Sequence, residues 1–278
     1  MDKENIFLPQ KVNYIEENPR KGQFIIEPCW PGYGTTWGNA LRRVLMSSLK
    51  GGAVDRVLIK GVRYEFSTLK GVKEDVLQIL LNLKKLRFQI FQDEEVELSL
   101  QVKGKKVVTG ADIEKNPQAV VANPEQKIAT LTGKDSSLSM KLWVKSGYGW
   151  VPSEEKPRQG LEIGTLVMDS QFSPIKSVIY HIENMIVGKR TDFERLILTI
   201  ETDGSLTPKQ AFEKACSLLE EHFHFLRSQV SLEGKKEEKK EKKEKKEKKE
   251  KEEKKKTKKE KSKGKAKKSA KKSTKKKK

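Results

Sequence analysis

The stretch Pro31-Gly32-Tyr33-Gly34-Thr35-Thr36-Trp37-Gly38-Asn39-Ala40-Leu41-Arg42-Arg43-Val44-Leu45-Met46-Ser47-Ser48-Leu49 holds the first clear periodicity of the chain. Trp37, Ala40, Leu41, Val44, Leu45 and Ser48 recur at intervals of three and four, so one apolar stripe runs along a helix expected over Thr36 to Leu49. Thr35 or Thr36 can cap its start, and Gly51-Gly52 can end it. At about 100° per residue, Arg42 and Arg43 point away from the centre of that stripe. A solvated helix face is the ordinary explanation for such residues. Two adjacent arginines on a partner-free surface would gain little, however, and a planar guanidinium suits interface contacts. The glycine-rich entry Pro31–Thr36 has the look of a phosphate loop. No GK[ST] follows it and its spacing is not GxGxxG, so it reads as a structural turn opening a helix.

Working outward, a second helix is expected from Val72 to Lys84, with Val72, Val76, Ile79, Leu80 and Leu83 on one face. A third opens at Thr207-Pro208, where Thr207 and Gln210 form a capping box with Pro208 at the first helical position. From there Phe212, Ala215, Cys216, Leu219, Phe223 and Leu226 make a long apolar stripe. Between the helices lie alternating strands: Val96–Val102 before the Lys103-Gly104-Lys105 turn, Leu138–Val144, Val178–Ile182, and Leu196–Ile200 before the Asp203-Gly204 turn. Helices near both ends and strands between them predict an α+β body with a β-rich insertion, not alternating βαβ units.

Charge is unevenly spread. Residues 235–278 contain 27 Lys and 9 Glu; removing these from the totals of 59 basic and 39 acidic residues leaves 32 and 30 in the first 234. The basic character of the chain thus belongs to its tail, a KKE-type repeat with almost nothing apolar to offset its ordering entropy. Disorder is expected there, with transient helix supported by Glu-to-Lys pairs four residues apart. No apolar run approaches the roughly 20 residues that span a membrane, and the amino terminus lacks a signal pattern. Cys29 and Cys216 are far apart in sequence and read as small apolar residues in a reducing cytosol, not as a disulfide. His222 and His224 point about 200° apart on a helix and cannot share a metal. Trp37, Trp143, Trp150 and Phe172 read as core or interface residues rather than base-stacking platforms, and Asp169, Asp192 and Asp203 as turn residues. With no nucleophile elbow and no zinc spacing, no catalytic residue, metal, cofactor or small-molecule ligand is expected.

At these same residues a resemblance enters. Gly32 to Leu49 resembles the amino-terminal signature of the α subunit of bacterial and plastid RNA polymerase. Further stretches agree in order: Glu65-Phe66-Ser67-Thr68 through Gly71-Val72-Lys73-Glu74-Asp75, Ile79–Lys84, Gly149-Trp150-Val151-Pro152, Phe172-Ser173-Pro174-Ile175 and Val187–Asp192. The resemblance implies a dimerisation subdomain from residues 1–51 and 175–232, built of two long helices and an antiparallel sheet. It further implies an inserted β-rich subdomain over 52–174, with the tail occupying 233–278. It implies a homodimeric, non-catalytic scaffold on which the β and β′ subunits assemble in the bacterial cytoplasm. Arg42, Arg43, Ser67, Thr68, Gly71, Glu74 and Asp75 would meet β, and Phe172, Ser173, Pro174, Arg190, Thr191 and Asp192 would meet β′. Trp37, Leu41, Leu45, Phe212, Leu219, Phe223 and Leu226 would form the dimer contact. Trp37 stands where the family usually has an aliphatic residue, and Ile186 where an arginine is common. The family usually continues into a small helical carboxy-terminal domain that reads promoter DNA. This chain has the Lys/Glu tail instead, expected to bind DNA without sequence preference. A stand-alone basic nucleic-acid-binding protein is the alternative; it accounts for the tail but not for the nearly neutral body with its three amphipathic helices.

Overall fold

A computed structural model describes residue 6, residues 8–92 and residues 94–230. The expectations for the tail lie outside the described residues. In chain order the first elements are β1 (Lys11–Asn18), β2 (Lys21–Cys29), α1 (Tyr33–Ser47), β3 (Lys50–Ile59), α2 (Val76–Leu83), β4 (Phe88–Ile90), β5 (Val96–Lys103), β6 (Val107–Thr109), β7 (Ala119–Val121) and β8 (Lys127–Thr130). There follow β9 (Ser137–Tyr148), β10 (Trp150–Val151), β11 (Thr165–Val167), β12 (Ser170–Gln171), β13 (Ile175–Val187) and β14 (Arg190–Thr202). Helix α3 covers residues 208–230, the last ones described. The chain is α+β and its pairings are antiparallel.

Two main sheets divide the body up to Leu219. One has the order β1-β2-β14-β13 and joins both ends of the sequence. Leu41, Leu45 and Leu49 cover it from the α1 side and Ala211 and Ala215 from α3, in one core with Phe24, Val178, Leu198 and Ile200. The other sheet, of order β5-β9-β3-β4-β7 with β11 also on β3, carries α2 and the larger core around Ile79, Leu83, Phe88, Leu100, Ile128 and Leu142. Of the described residues, 220–230 fall in a second unit.

The capping box of α3 is present: the Gln210 N–H donates to Thr207 Oγ1, and the Thr207 N–H donates to Gln210 Oε1, both at 3.2 Å. The other helix ends differ from expectation. Helix α1 starts at Tyr33, three residues early. Thr36 lies inside the helix, where its hydroxyl donates to the Gly32 carbonyl at 3.1 Å, so neither Thr35 nor Thr36 caps. Gly51 and Gly52 do not end the helix; they lie in β3. A Cβ on Gly51 would run into the Phe172 carbonyl, and one on Gly52 would come within 2.5 Å of the Phe88 carbonyl, so close backbone approach explains these glycines. Helix α2 starts at Val76, not Val72. Asp75 caps it by accepting the Gln78 N–H at 2.7 Å, while Val72 is drawn into a bridge with Leu131.

Candidate functional site

Helix α1 is the frame on which the candidate surfaces hang. Its inner face is Gly34, Gly38, Leu41 and Leu45, all buried. A Cβ on Gly38 would come within 2.7 Å of the Tyr180 ring, so this position lets the helix lie directly on β13. Glu194 of β14 fixes its amino terminus, accepting the Gly32 N–H with Oε1 and the Gly34 N–H with Oε2, each at 2.9 Å. A helix start is a ready anion site, and here a carboxylate of the same chain fills it. At the other end the Ser173 hydroxyl reaches the Met46 carbonyl at 3.4 Å. Arg42 and Arg43 are exposed on the outward face, and neither side chain forms an ion pair among the described residues.

The other residues of the expected β surface cluster around the start of α2. Ser67 donates to the Tyr64 carbonyl at 2.7 Å, and its own carbonyl accepts the Val76 N–H at 3.1 Å. Thr68 is exposed and Gly71 has a φ of +80°. Glu74 is held by Lys127 at 2.7 Å, by the Thr130 N–H at 2.6 Å and by the Thr130 hydroxyl at 2.9 Å. Burial works to raise the Glu74 carboxyl, but these partners outweigh it and keep it below its ordinary value. Glu74 and Asp75 are therefore already engaged within the chain; Thr68 is the freest polar member of the loop. This loop belongs to the six-stranded sheet and Arg42–Arg43 to the four-stranded one.

The residues expected to meet β′ fall into two groups at opposite ends of β13, whose 13 residues span about 40 Å. Phe172 and Pro174 are buried, the Phe172 ring lying where a Cβ on Gly147 would meet it at 2.8 Å. Their side chains lie in the core of the chain, and of the three residues Ser173 is partly open. Arg190, Thr191 and Asp192 are exposed on the β13–β14 turn. Arg190 is fixed by Asp192, with bonds of 3.0 and 2.6 Å, and lies 4.9 Å from the centres of the Trp30 and Phe193 rings. The Arg190 guanidinium holds the Asp192 carboxyl below its ordinary value.

The expected dimer stripe also divides. Leu41 and Leu45 lie within the core of their own chain, at 6% and 0% exposure. Trp37, Phe212 and Leu219 are partly buried against the chain's own cores. Phe223 and Leu226 are open, and Val230 with them. In sequence Phe212, Cys216, Leu219, Phe223, Leu226 and Val230 keep a strict four-three spacing, the heptad pattern of helix pairing.

Sequence reasoning missed two features. Trp143 does carry an arginine, Arg56, 5.0 Å from its ring centre. Beneath it Asp55, 4% exposed, is paired with Lys156 at 2.9 Å and Lys145 at 2.7 Å, while the Lys156 ammonium also donates to Ser170 Oγ at 2.6 Å and to the Met168 carbonyl. Nothing in the local sequence of Pro152-Ser153-Glu154-Glu155-Lys156 marks that lysine as buried. Cys29 and Cys216 are free thiols, both raised by burial. Among the described residues no group of His, Cys, Asp and Glu could hold a metal, and no helix is long and apolar enough to cross a membrane.

Residues 57–173 match the RNA polymerase Rpb3/RpoA insert domain. Across the wider chain the similarity is to DNA-directed RNA polymerase subunit alpha of several bacteria. The protein of Salinibacter ruber is 43% identical over 238 residues, covering 85% of this chain and 71% of that one. The protein of Aquifex aeolicus is 41% identical over 221 residues, covering 79% and 69%. That of Flavobacterium psychrophilum is 42% identical over 233 residues, covering 82% and 70%.

Proposed function

The chain belongs to the family of DNA-directed RNA polymerase α subunits, and from that premise we propose that it is a homodimeric, non-catalytic scaffold on which the β and β′ subunits assemble in the bacterial cytoplasm. The observation that carries this reading is the two-sidedness of α1: its inner face is spent on its own sheet, while Arg42 and Arg43 stand outward without a partner among the described residues. A surface change should cost little stability, whereas a buried interface arginine is worth roughly 2 kcal/mol or more of binding. Arg42, Arg43 and Thr68 are assigned to β, with Ser67, Gly71, Glu74 and Asp75 shaping the loop that presents Thr68. Ser173, Arg190, Thr191 and Asp192 are assigned to β′, with Phe172 and Pro174 supporting the segment from within.

The dimer contact is assigned to Trp37, Phe212, Leu219, Phe223, Leu226 and Val230. An apolar stripe at heptad spacing left open to water calls for a second helix of the same kind, and two-fold pairing satisfies both copies at once. Residues 1–51 and 175–232 form the dimerisation part in this reading, and 52–174 the insert. The tail of 27 Lys against 9 Glu adds non-specific affinity for DNA through phosphate contacts. Co-expression with the two large subunits tests the scaffold role. The unmutated chain should enter a complex with β and then β′, and recovery of polymerase lacking this chain would refute the proposal. The family assignment sets aside the stand-alone basic protein.

A further inference from the structure

We infer that the end of the six-stranded sheet where the turns around Gly71, Gly104 and Gly133 meet is a binding surface for the phosphate backbone of nucleic acid, separate from the tail. The three turns are laced into one platform by main-chain bonds. The Gly104 N–H donates to the Ser136 carbonyl and the Leu131 N–H to the Lys106 carbonyl, both at 2.8 Å. The Thr132 N–H donates to the Gly71 carbonyl, and the Lys73 N–H to the Thr130 carbonyl, both at 3.0 Å. Gly71 and Gly104 have φ of +80° and +85°, the left-handed region that lets these turns be tight, and a Cβ on Gly71 would run into the Ser136 hydroxyl. The positions that project from the platform are therefore fixed by the backbone.

Five exposed lysines stand on it: Lys70, Lys73, Lys103, Lys105 and Lys134. None of them forms an ion pair among the described residues. The carboxylates that could neutralise them are already committed, Asp112 to Lys106 and Glu74 to Lys127. Asp75 is occupied as the cap of α2, which leaves Asp135 as the one acid of these turns without a bond to another side chain or N–H among the described residues. The first 234 residues as a whole are nearly neutral, with 32 basic against 30 acidic, so this concentration is local.

The chemistry favours phosphates over a protein partner. Protein interfaces are enriched in aromatic residues and arginine and depleted in lysine, and these turns contain neither an aromatic residue nor an arginine. Lysine is a compact, hydrated point charge that contacts phosphate without reading a base. The surface should accordingly bind duplexes of any sequence, by counterion release. It uses none of the residues assigned to β′ or to the dimer, but it shares the Gly71 turn with the loop assigned to β, so in the assembled polymerase it is open to nucleic acid on the copy that does not meet β.

Lysine-acylation footprinting of the full-length protein, read residue by residue by mass spectrometry, tests this with and without a short DNA duplex at low salt. Protection of the five lysines is expected, with Lys141 and Lys176, which pair with acids elsewhere, unchanged. The triple variant Lys103→Gln/Lys105→Gln/Lys134→Gln should retain its far-UV spectrum and melting profile. Its plot of log affinity against log salt should be shallower by about 2 to 3, near 0.9 for each phosphate that is no longer neutralised. Protection confined to residues 235–278, or a salt slope unchanged in the folded variant, overturns the inference. Protection of these lysines by the large polymerase subunits but not by DNA also overturns it and makes the platform a protein contact. Each result is independent of whether the chain still recruits β through Arg43, so this inference and the scaffold reading can fail separately.

Discussion

Glu194 accepts the Gly34 N–H at 2.9 Å, and through that bond strand β14 holds the first turn of the helix that carries Arg42 and Arg43. The second carboxylate oxygen takes the Gly32 N–H. A Cβ at Gly34 would approach Glu194 Oε2 to 2.7 Å, so the glycine is needed for close approach. The turn resembling a phosphate loop thus has its anion built in. Removing a helix-start acceptor costs about 1–2 kcal/mol, so Glu194→Ala should lower the urea midpoint by a corresponding amount and Glu194→Gln by less. Midpoints equal to that of the unmutated chain would show that the bond does not hold the helix.

The Asp55–Lys156 pair ties the segment after β10 to the sheet. Burial works to raise the Asp55 carboxyl, but Lys145 and Lys156 outweigh it and hold it below its ordinary value. A depressed carboxylate contributes stability above its unfolded value, about 3.9, and loses it as the pH falls through the folded one. Asp55→Asn leaves the Lys156 ammonium buried without its counter-charge and should cost about 3–5 kcal/mol at neutral pH. Lys156→Met should cost less, because Asp55 keeps Lys145. The gap between the unmutated chain and Asp55→Asn should begin to shrink near pH 4 and close only as the pH falls through the lower folded value of Asp55. A gap independent of pH in urea titrations would mean that the charge of Asp55 does not matter.

What could be read in advance followed from how regular each face is. β5, β9 and β14 alternate cleanly because one face is buried and the other is wet, and α3 announces itself through Thr207, Pro208 and Gln210. β1 and β2 escaped notice for the opposite reason. β1 is an edge strand exposed at nearly every position, and β2 carries Phe24, Ile25 and Ile26 in succession, which breaks the two-residue period. β3 begins with Gly51-Gly52, which in sequence reads as a helix stop and in space serves the approach of Phe172 and Phe88. Among the candidate site residues, the outward position of Arg42 and Arg43 was legible from a 100° rotation. The burial of Phe172, Pro174 and Lys156 was not, because it depends on partners more than ten residues away.

The stripe divided between α1 and α3 allows folding and dimerisation to be separated. Leu45, fully buried in its own chain, should cost about 2–5 kcal/mol as Leu45→Ala, without changing the oligomeric state of the fraction that folds. Leu226 is 59% exposed in the single chain, so Leu226→Asp should leave the body folded and shift sedimentation from dimer to monomer. A dimer that survives both Phe223→Asp and Leu226→Asp would place the contact elsewhere.

Arg43 gives the sharpest separation between folding and assembly. Its side chain is exposed, its helix is held from the inner face by Leu41 and Leu45, and its carbonyl, not its guanidinium, accepts the Ser47 hydroxyl at 2.8 Å. Arg43→Ala removes no internal contact and should change stability by no more than about 0.5 kcal/mol. Arg43→Lys keeps the charge but loses the planar, two-pronged donor geometry. Pull-down with β should therefore rank the unmutated chain above Arg43→Lys and Arg43→Lys above Arg43→Ala, while all three sediment as dimers with the same urea midpoint. If lysine restores binding in full, the site reads charge alone. If alanine binds β as well as arginine does, the outward face of α1 is solvated surface and the β contact must be sought at Thr68 and its loop.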